Sequence, residues 1–377
     1  MFERVKRFLI PLLIIVVAGI LYHTKIHRQM ADFGVYRTAA QRAAAAEPLY
    51  RSEDGHYQFK YLPVFAIAMM PFALISNDTA RMIWFFLTIV LLMCYVVWSV
   101  RALPARQQSE GLLIGLTAVL MAKFYGHEVT LGQTNVLFGT LLIAALLALQ
   151  AKRPRISGAL IGAAVFVKPY ALILLPWIAF TYGAAPAGAS LIVIAAGLLI
   201  PAVIYGWSGN SELLVAWFRT VSESTAPNLL SNDNISLAAT WAKWLGVGTL
   251  ASRLAVVSGV AVLGLAAAVW FSRRRVSKPD YLEFALLMLL IPLLSPQGWD
   301  YVLLLSTPAI ICLLDRWPKM GRGWRVFTGV SLALMCFTIF DLMGRVLYSR
   351  LMAISIVSVA ALCLAVALAH MRWKATA

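Results

Sequence analysis

The sequence has little charge. Charged residues make up only 13% of the 377-residue chain and hydrophobic residues 61%, whereas a soluble domain carries roughly 25% charge. This shortage excludes an ordinary water-soluble globular protein. Acidic residues are fewest, 16 against 32 Lys and Arg, so the net charge is +16. In a soluble protein such an excess would indicate nucleic-acid binding, but in a membrane protein it marks cytoplasmic loops, and we expect no nucleic-acid partner.

Cysteine is also scarce, with only Cys94, Cys312, Cys336 and Cys363, all in apolar stretches. None lies near a second cysteine or a histidine at ligand spacing, which argues against a disulfide framework and a metal site. The chain has no glycine-rich nucleotide-binding loop, and we expect no cofactor. Outer carboxylates are present without a defined ligand spacing, so the sequence leaves metal dependence open.

Long apolar segments are abundant, and a transmembrane helix needs about 20 such residues. They predict an all-α, polytopic membrane protein. Two segments are irregular: 62–76 contains Pro63 and Pro71, and 157–182 is too long for one span and has Lys168-Pro169 at its centre. The apolar segments are 8–22, 62–76, 80–100, 111–125, 133–150, 157–182, 187–206, 250–271, 280–294, 300–314, 326–341 and 351–370.

The positions of the basic residues predict the orientation, because cytoplasmic loops are enriched in Lys and Arg. All the basic clusters face the cytoplasm if 62–76 is an outer juxtamembrane or re-entrant segment and 157–182 is two short helices that meet at Lys168-Pro169. This arrangement predicts about 12 transmembrane helices in the cell inner (plasma) membrane, with both termini cytoplasmic and the active site on the outer side. The clusters are Arg4 to Arg7, Arg101 to Arg106, Lys152 to Arg155, Arg273 to Lys278, Arg316 to Arg325, and Arg372 to Lys374.

The same pattern predicts the domain organisation. We expect a single integral membrane domain over 1–377, with a first outer loop at 23–79 that carries juxtamembrane helices and a second large outer loop at 207–248. The basic residues 4–7 followed by the apolar segment 8–22 resemble a signal peptide, but no small-residue cleavage site follows, so we interpret the segment as a signal anchor and first span.

The first outer loop holds two polar residues at helical spacing. Asp32 and Tyr36 are four residues apart and would share one helix face. Asp32 could be the N-cap of a helix over 33–46 or an active carboxylate, and the two roles are compatible. Lys60, which stands among aromatics, is typical of an interfacial lysine.

Further polar residues stand at the ends of the predicted spans. His127, Gln133 and Asn135 are too polar for lipid and must face a cavity or each other. Asn234 belongs to a run that is typical of a turn and a helix cap. Asp300 is costly near hydrocarbon, so we expect it to be interfacial or paired.

The order of these features resembles glycosyltransferase family 87, the polyprenol-phosphate-mannose-dependent mannosyltransferases of the GT-C superfamily. The resemblance extends to about residue 315, and the last two spans are generic. The matching residues are Asp32, Tyr36, Pro48-Leu49-Tyr50, Tyr61 to Pro71, Gly132-Gln133-Thr134-Asn135, Ser157-Gly158 through Lys168-Pro169, Asn234-Ile235-Ser236, and Ser295-Pro296 with Trp299.

The resemblance implies a reaction and a set of partners. The donor is a polyprenyl-phosphate sugar, and the acceptor is a hydroxyl group of a lipid or glycan. Membrane lipids are further partners. Asp32 is the general base of an inverting transfer. Mannose is the first candidate, with arabinose and glucose left open. Cations for the donor phosphate are Lys60, Lys168 and His127. Residues for the sugar or acceptor are Tyr36, Gln133, Asn135, Asn234, Trp299 and Asp300.

One position departs from the family pattern. Members often have His after the Trp of the Ser-Pro-x-x-Trp turn, whereas this chain has Asp300-Tyr301. If that His contacts donor phosphate in relatives, its role here shifts, for instance to His127, or the donor differs.

Two other functions remain open from the sequence. A secondary transporter or lipid flippase also needs polar residues in a cavity, but it often carries matching broken helices in each half, and both irregular segments here lie in the N-terminal half. A ligase or polymerase using an undecaprenyl-diphosphate donor would be expected to carry more Arg at the outer cavity.

Overall fold

The computed structural model describes residues 16, 17 and 19–376, so the predicted span at 8–22 lies mostly outside the described residues. The described chain is helical, which confirms the all-α prediction. Within it the one β-type pairing is a single antiparallel bridge between Asn234 and Trp299.

The N-terminal half contains short helices before a long pair and then a set of intermediate length. Short 3₁₀ segments occupy Ile26–Arg28, Ser52–Tyr57 and Pro169–Ile173. The α-helices are α1 Ala31–Ala44, α2 Pro63–Ala68, α3 Met70–Ala73, α4 Asn77–Ala102, α5 Glu110–Leu131, α6 Asn135–Gln150, α7 Pro154–Val167, α8 Leu174–Tyr182 and α9 Ala184–Leu199.

The C-terminal half continues the bundle, with 3₁₀ segments at Ser272–Arg275, Asp300–Ser306 and Trp317–Lys319. Its α-helices are α10 Ala202–Glu223, α11 Thr225–Asn228, α12 Leu237–Leu245, α13 Thr249–Phe271, α14 Asp280–Leu294, α15 Thr307–Arg316, α16 Arg322–Phe337, α17 Phe340–Ala353 and α18 Ile356–Thr376.

Several helices are long and apolar enough to cross a membrane. Among the described residues five qualify: 77–102, 110–131, 249–275, 300–319 and 356–374. Two bent pairs, α9 with α10–α11 at 91° and α16 with α17 at 99°, raise the number to seven if each pair is one span. These helices support a multi-pass membrane protein, while the described residues do not show the roughly twelve spans that the sequence predicts.

The difference has a physical cause in helix length. The apolar helices 135–150, 154–167 and 169–182 have 10–17 residues; at 1.5 Å per residue, 16 residues reach only about 24 Å, short of about 30 Å of hydrocarbon. Helix α14 has 15 residues and is buried from Glu283 to Leu293. Hydropathy counts such segments as spans, although protein rather than lipid surrounds much of their surface.

The irregular segments 62–76 and 157–182 are broken at their prolines. Residues 63–73 form the short helices α2 and α3, with proline in the first turn of each. Helix α7 ends at Val167, Lys168 is extended, and Pro169 opens the next 3₁₀ segment. Two short helices therefore meet at Lys168-Pro169, as predicted.

Residues 342–350, which separate the last two predicted spans, lie inside α17. The predicted span 326–341 ends early, at Phe337, where α16 stops and the chain bends by 99° into α17. A hydropathy profile does not show such a bend, because both helices are apolar.

Two glycines of α7 let it lie directly against α9. A Cβ on Gly158 would collide with the carbonyl oxygen of Pro186, and one on Gly162 would lie 2.7 Å from that of Ser190. Glycines four residues apart allow this close approach of helix backbones. The contact places the end of α7, and with it Lys168, beside the cavity described next.

Candidate active site

A cavity of about 520 Å³ lies where six separate stretches of the chain converge. Its wall combines the start of α1, the segment before α2, the α5–α6 turn, the Lys168-Pro169 break, and the ends of two later loops. Its charged, amide and aromatic side chains include Asp32, Tyr36, His56, Lys60, Tyr61, Gln133, Lys168, Asp233, Gln297, Trp299 and Tyr301.

Asp32 lies in the first turn of α1 and not at its N-cap. The N-cap is Met30, with φ of 55°, and it makes no side-chain capping bond, so the predicted capping role of Asp32 is wrong. The backbone N–H of Met30 donates to the carbonyl of Thr130 at 2.9 Å. Gly132, with φ of 70°, leaves room for Met30 beside it. This contact fixes the start of α1 against the α5–α6 turn, and the helix N-terminus favours a negative charge on Asp32.

One carboxylate oxygen of Asp32 accepts a hydrogen bond of 2.6 Å from Nε2 of Gln133. Burial raises the pKa of Asp32, while the Gln133 bond and the charges of Lys168, His56 and Lys60 oppose the rise. The pKa stays above the ordinary aspartate value. A carboxyl held this way is a stronger proton acceptor than a solvated one.

A chain of phenols holds Gln133 in place. The hydroxyl of Tyr36 lies 2.8 Å from that of Tyr61 and donates to Oε1 of Gln133 at 3.4 Å. Nε2 of Gln133 also lies 3.3 Å from the Tyr301 hydroxyl, and Tyr61 bonds to Thr134 at 3.1 Å. Burial raises the pKa of Tyr36 and of Tyr61, so both stay protonated as hydrogen-bond donors.

Two lysines bring positive charge to the same cavity. Lys60 and Lys168 both line it, and within the described chain neither ammonium group lies within 4 Å of a carboxylate oxygen. Burial lowers the pKa of Lys60, while Asp32 opposes this shift. Half-buried ammonium groups without a protein counter-ion favour an anionic ligand.

Four predicted site residues lie outside the cavity wall. Asp300 is buried and forms an ion pair with Lys123 at 2.6 Å, with Nδ1 of His127 at 3.8 Å from its other oxygen. Asn135 donates to Glu128 at 2.7 Å. Asn234 donates to the carbonyls of Asn228 and Pro296, at 3.0 Å each.

These contacts hold the turns that carry the residues of the cavity wall. Asp300 is paired, which was one of its two predicted states, and it fixes the turn that carries Trp299 and Tyr301. Asn234 closes a turn, as the sequence pattern indicated, and Ser236 caps α12 by accepting from Ala239. Nδ1 of His127 faces Asp300, and His127 is not among the residues that line the cavity.

Several wall residues were not predicted from the sequence. Gln297 lies inside the Ser-Pro-x-x-Trp turn and Tyr301 two residues after it, so their neighbourhood was visible, whereas His56 carries no local pattern. Asp233 is a second carboxylate in the wall, and it accepts a 2.7 Å bond from the Tyr348 hydroxyl. Within residues 19–374, no group of three or more His, Cys, Asp or Glu side chains could hold a metal ion.

Residues 59–296 match glycosyltransferase family 87. The matched range includes Lys60, Gln133 and Lys168, begins after Asp32, and ends before Trp299. No match is found among curated proteins or among solved structures. Because the match covers well over half of the 377 residues, the chain belongs to glycosyltransferase family 87.

Proposed function

We propose that the protein transfers a hexose, with mannose as the first candidate, from a polyprenyl-phosphate sugar to a hydroxyl of a lipid or glycan acceptor. The reaction inverts the anomeric centre, and Asp32 is the general base. Membership of a glycosyltransferase family favours this function over a transporter or flippase.

The observation that carries the proposal is the pairing of a base with unpaired cations. Asp32 is held by Gln133 at 2.6 Å in a cavity that also contains Lys60 and Lys168. The other wall carboxylate, Asp233, already binds Tyr348. Asp32 is therefore the better-placed proton acceptor.

The chemical step needs only these groups. The acceptor oxygen attacks C1 of the sugar as its proton passes to a carboxylate oxygen of Asp32. The bond between C1 and the phosphate oxygen breaks, and its electron pair leaves with polyprenyl phosphate. Lys60 and Lys168 stabilise the developing phosphate charge, in a site where burial strengthens the interaction.

The remaining wall residues would hold the sugar and acceptor. Tyr36, Gln133 and Trp299 present hydroxyl, amide and indole groups to the cavity, and aromatic rings suit the apolar face of a sugar. His56 replaces His127 as the nearby imidazole, because His127 lies outside the cavity wall. We assign Asn135, Asn234 and Asp300 to positioning the wall.

We further propose that this cavity opens on the outer face of the inner membrane, with both termini cytoplasmic. The basic clusters support this orientation, since Arg316 and Lys319 line a different cavity at the other end of α14. The whole chain, 1–377, would be one membrane domain, with outer loops at 23–79 and 207–248.

The test measures sugar transfer from synthetic polyprenyl-phosphate mannose, with lipids and glycans extracted from the source membranes as acceptors. Asp32→Asn should lose at least about a hundredfold in rate, as expected for a lost general base. Asp78→Asn, a carboxylate outside the cavity wall, is the matched control. Lys168→Gln should bind the product polyprenyl phosphate more weakly.

Full activity of Asp32→Asn would remove Asp32 from the base role. Transfer by the wild type only from a polyprenyl-diphosphate sugar would favour the ligase or polymerase class. No transfer from any lipid-linked sugar by folded wild type would refute the proposed function.

A further inference from the structure

A second large cavity, of about 500 Å³, shares no lining residue with the candidate active site. It is lined by Tyr281 and Leu282 at the start of α14, whereas the candidate active site lies beyond the end of that helix, at Gln297 to Tyr301. The 15 residues of α14 span about 22 Å. The two cavities are therefore separate sites at opposite ends of one buried helix.

The second cavity is strongly basic. Five cationic side chains line it: Lys278, Arg316, Lys319, Arg372 and Lys374. The wall contains no Asp or Glu side chain from the described part of the chain. The ligand that such a wall favours is an anion.

The two arginines of this wall are already held by the protein. Arg372 pairs with Glu283 at 3.2 Å and donates to the carbonyl of Pro279 at 2.6 Å. Arg316 donates to the carbonyl of Pro104 at 3.3 Å. They are fixed parts of the wall.

The three lysines are different. None of Lys278, Lys319 and Lys374 has a carboxylate oxygen within 4 Å in the described chain. All three are exposed. Three unpaired ammonium groups around one cavity can converge on a phosphate.

The other side of the cavity is apolar. Trp324 lies on the wall with its ring stacked on that of His370 at 3.8 Å between centroids. One turn further along the same helix, α16, the ring of Phe327 packs against Trp324 at 5.3 Å between centroids and is 37% exposed, and Val330 in the next turn is 53% exposed. In a multi-pass membrane protein, exposed apolar side chains of this kind face lipid. The basic cavity therefore adjoins a lipid-facing helix surface.

We propose that this cavity binds an anionic membrane phospholipid. The headgroup phosphate lies among Lys278, Lys319 and Lys374, and an acyl chain follows Trp324 onto the exposed face of α16. Basic pockets between transmembrane helices bind anionic headgroups in this way. The apolar wall favours a lipid over a soluble anion, and the site is independent of the sugar-transfer cavity.

The test is native mass spectrometry of the full-length protein in detergent, titrated with phosphatidylglycerol or phosphatidylcholine. The variant is the triple substitution Lys278→Gln, Lys319→Gln and Lys374→Gln. The control replaces three exposed arginines outside the cavity wall with the same loss of charge, Arg274→Gln, Arg275→Gln and Arg322→Gln. A third protein carries Lys→Arg at the three lysines.

Wild type should retain phosphatidylglycerol over phosphatidylcholine, and the triple lysine variant should bind it about tenfold to a hundredfold more weakly. The arginine control and the Lys→Arg protein should keep wild-type binding. Equal binding by the lysine variant, or an equal loss in the arginine control, would overturn the site. Displacement of phosphatidylglycerol by glycerol phosphate at matched concentration would show that a soluble anion is the ligand and would also overturn the proposal.

Discussion

The ion pair between Lys123 and Asp300 provides a sharp test of how the cavity wall is held. The two side chains are 3% and 2% exposed and lie 2.6 Å apart, and Lys123 also donates to the carbonyl of Thr338 at 3.0 Å. Removing one partner leaves a buried charge without its counter-ion. We expect Lys123→Met and Asp300→Asn each to lower the free energy of unfolding by about 3–5 kcal/mol.

Replacing both partners removes the unpaired charge as well as the attraction. The double variant Lys123→Met with Asp300→Asn should therefore recover at least about 2 kcal/mol of the sum of the single losses. The free energies come from denaturant unfolding in one detergent. The control is the more exposed pair Arg101–Glu110, whose side chains are 63% and 34% exposed. Replacing either residue by Ala should lower the free energy of unfolding by less than about 1 kcal/mol. Single losses below about 1 kcal/mol at Lys123 and Asp300, or strictly additive losses, would refute the reasoning.

Two further predictions concern the base and the helix packing. Burial raises the pKa of Asp32 and the Gln133 bond lowers it, so kcat/KM should fall as pH drops through a value above the usual aspartate pKa of about 3.9. Gln133→Leu should move that acid limb to higher pH; an unchanged limb would separate Gln133 from the titrating group. Gly158→Ala should lower Tm, because its Cβ meets the Pro186 backbone. Gly188→Ala has no atom within 4 Å of the new Cβ and should leave Tm unchanged or raise it; equal effects of the two would contradict the packing.

The parts of the site that could be predicted are those with a local pattern. The broken helix at Lys168-Pro169 follows from a proline and a charge inside an apolar run. Asp32 stands out because carboxylates are rare in this chain. Lys60 and Gln133 were also named from the sequence, and both line the cavity.

The parts that could not be predicted depend on distant contacts. His127 and Asp300 were assigned to ligand contact, but Lys123, 177 residues before Asp300, turns that carboxylate into a structural ion pair. His56 enters the wall only because the 3₁₀ segment Ser52–Tyr57 lies against the cavity. Neither contact leaves a periodic signal in the sequence.

The sequence by itself determined the class of this protein: all-α, membrane-embedded, and a member of glycosyltransferase family 87. Composition, apolar run length and ordered motifs are local or additive properties, which is why they can be obtained without coordinates. Tertiary structure decided how many apolar helices are long enough to span, because helix length and burial are set by packing. It also decided which polar residues meet, since the bond between Asp32 and Gln133 joins residues 101 positions apart.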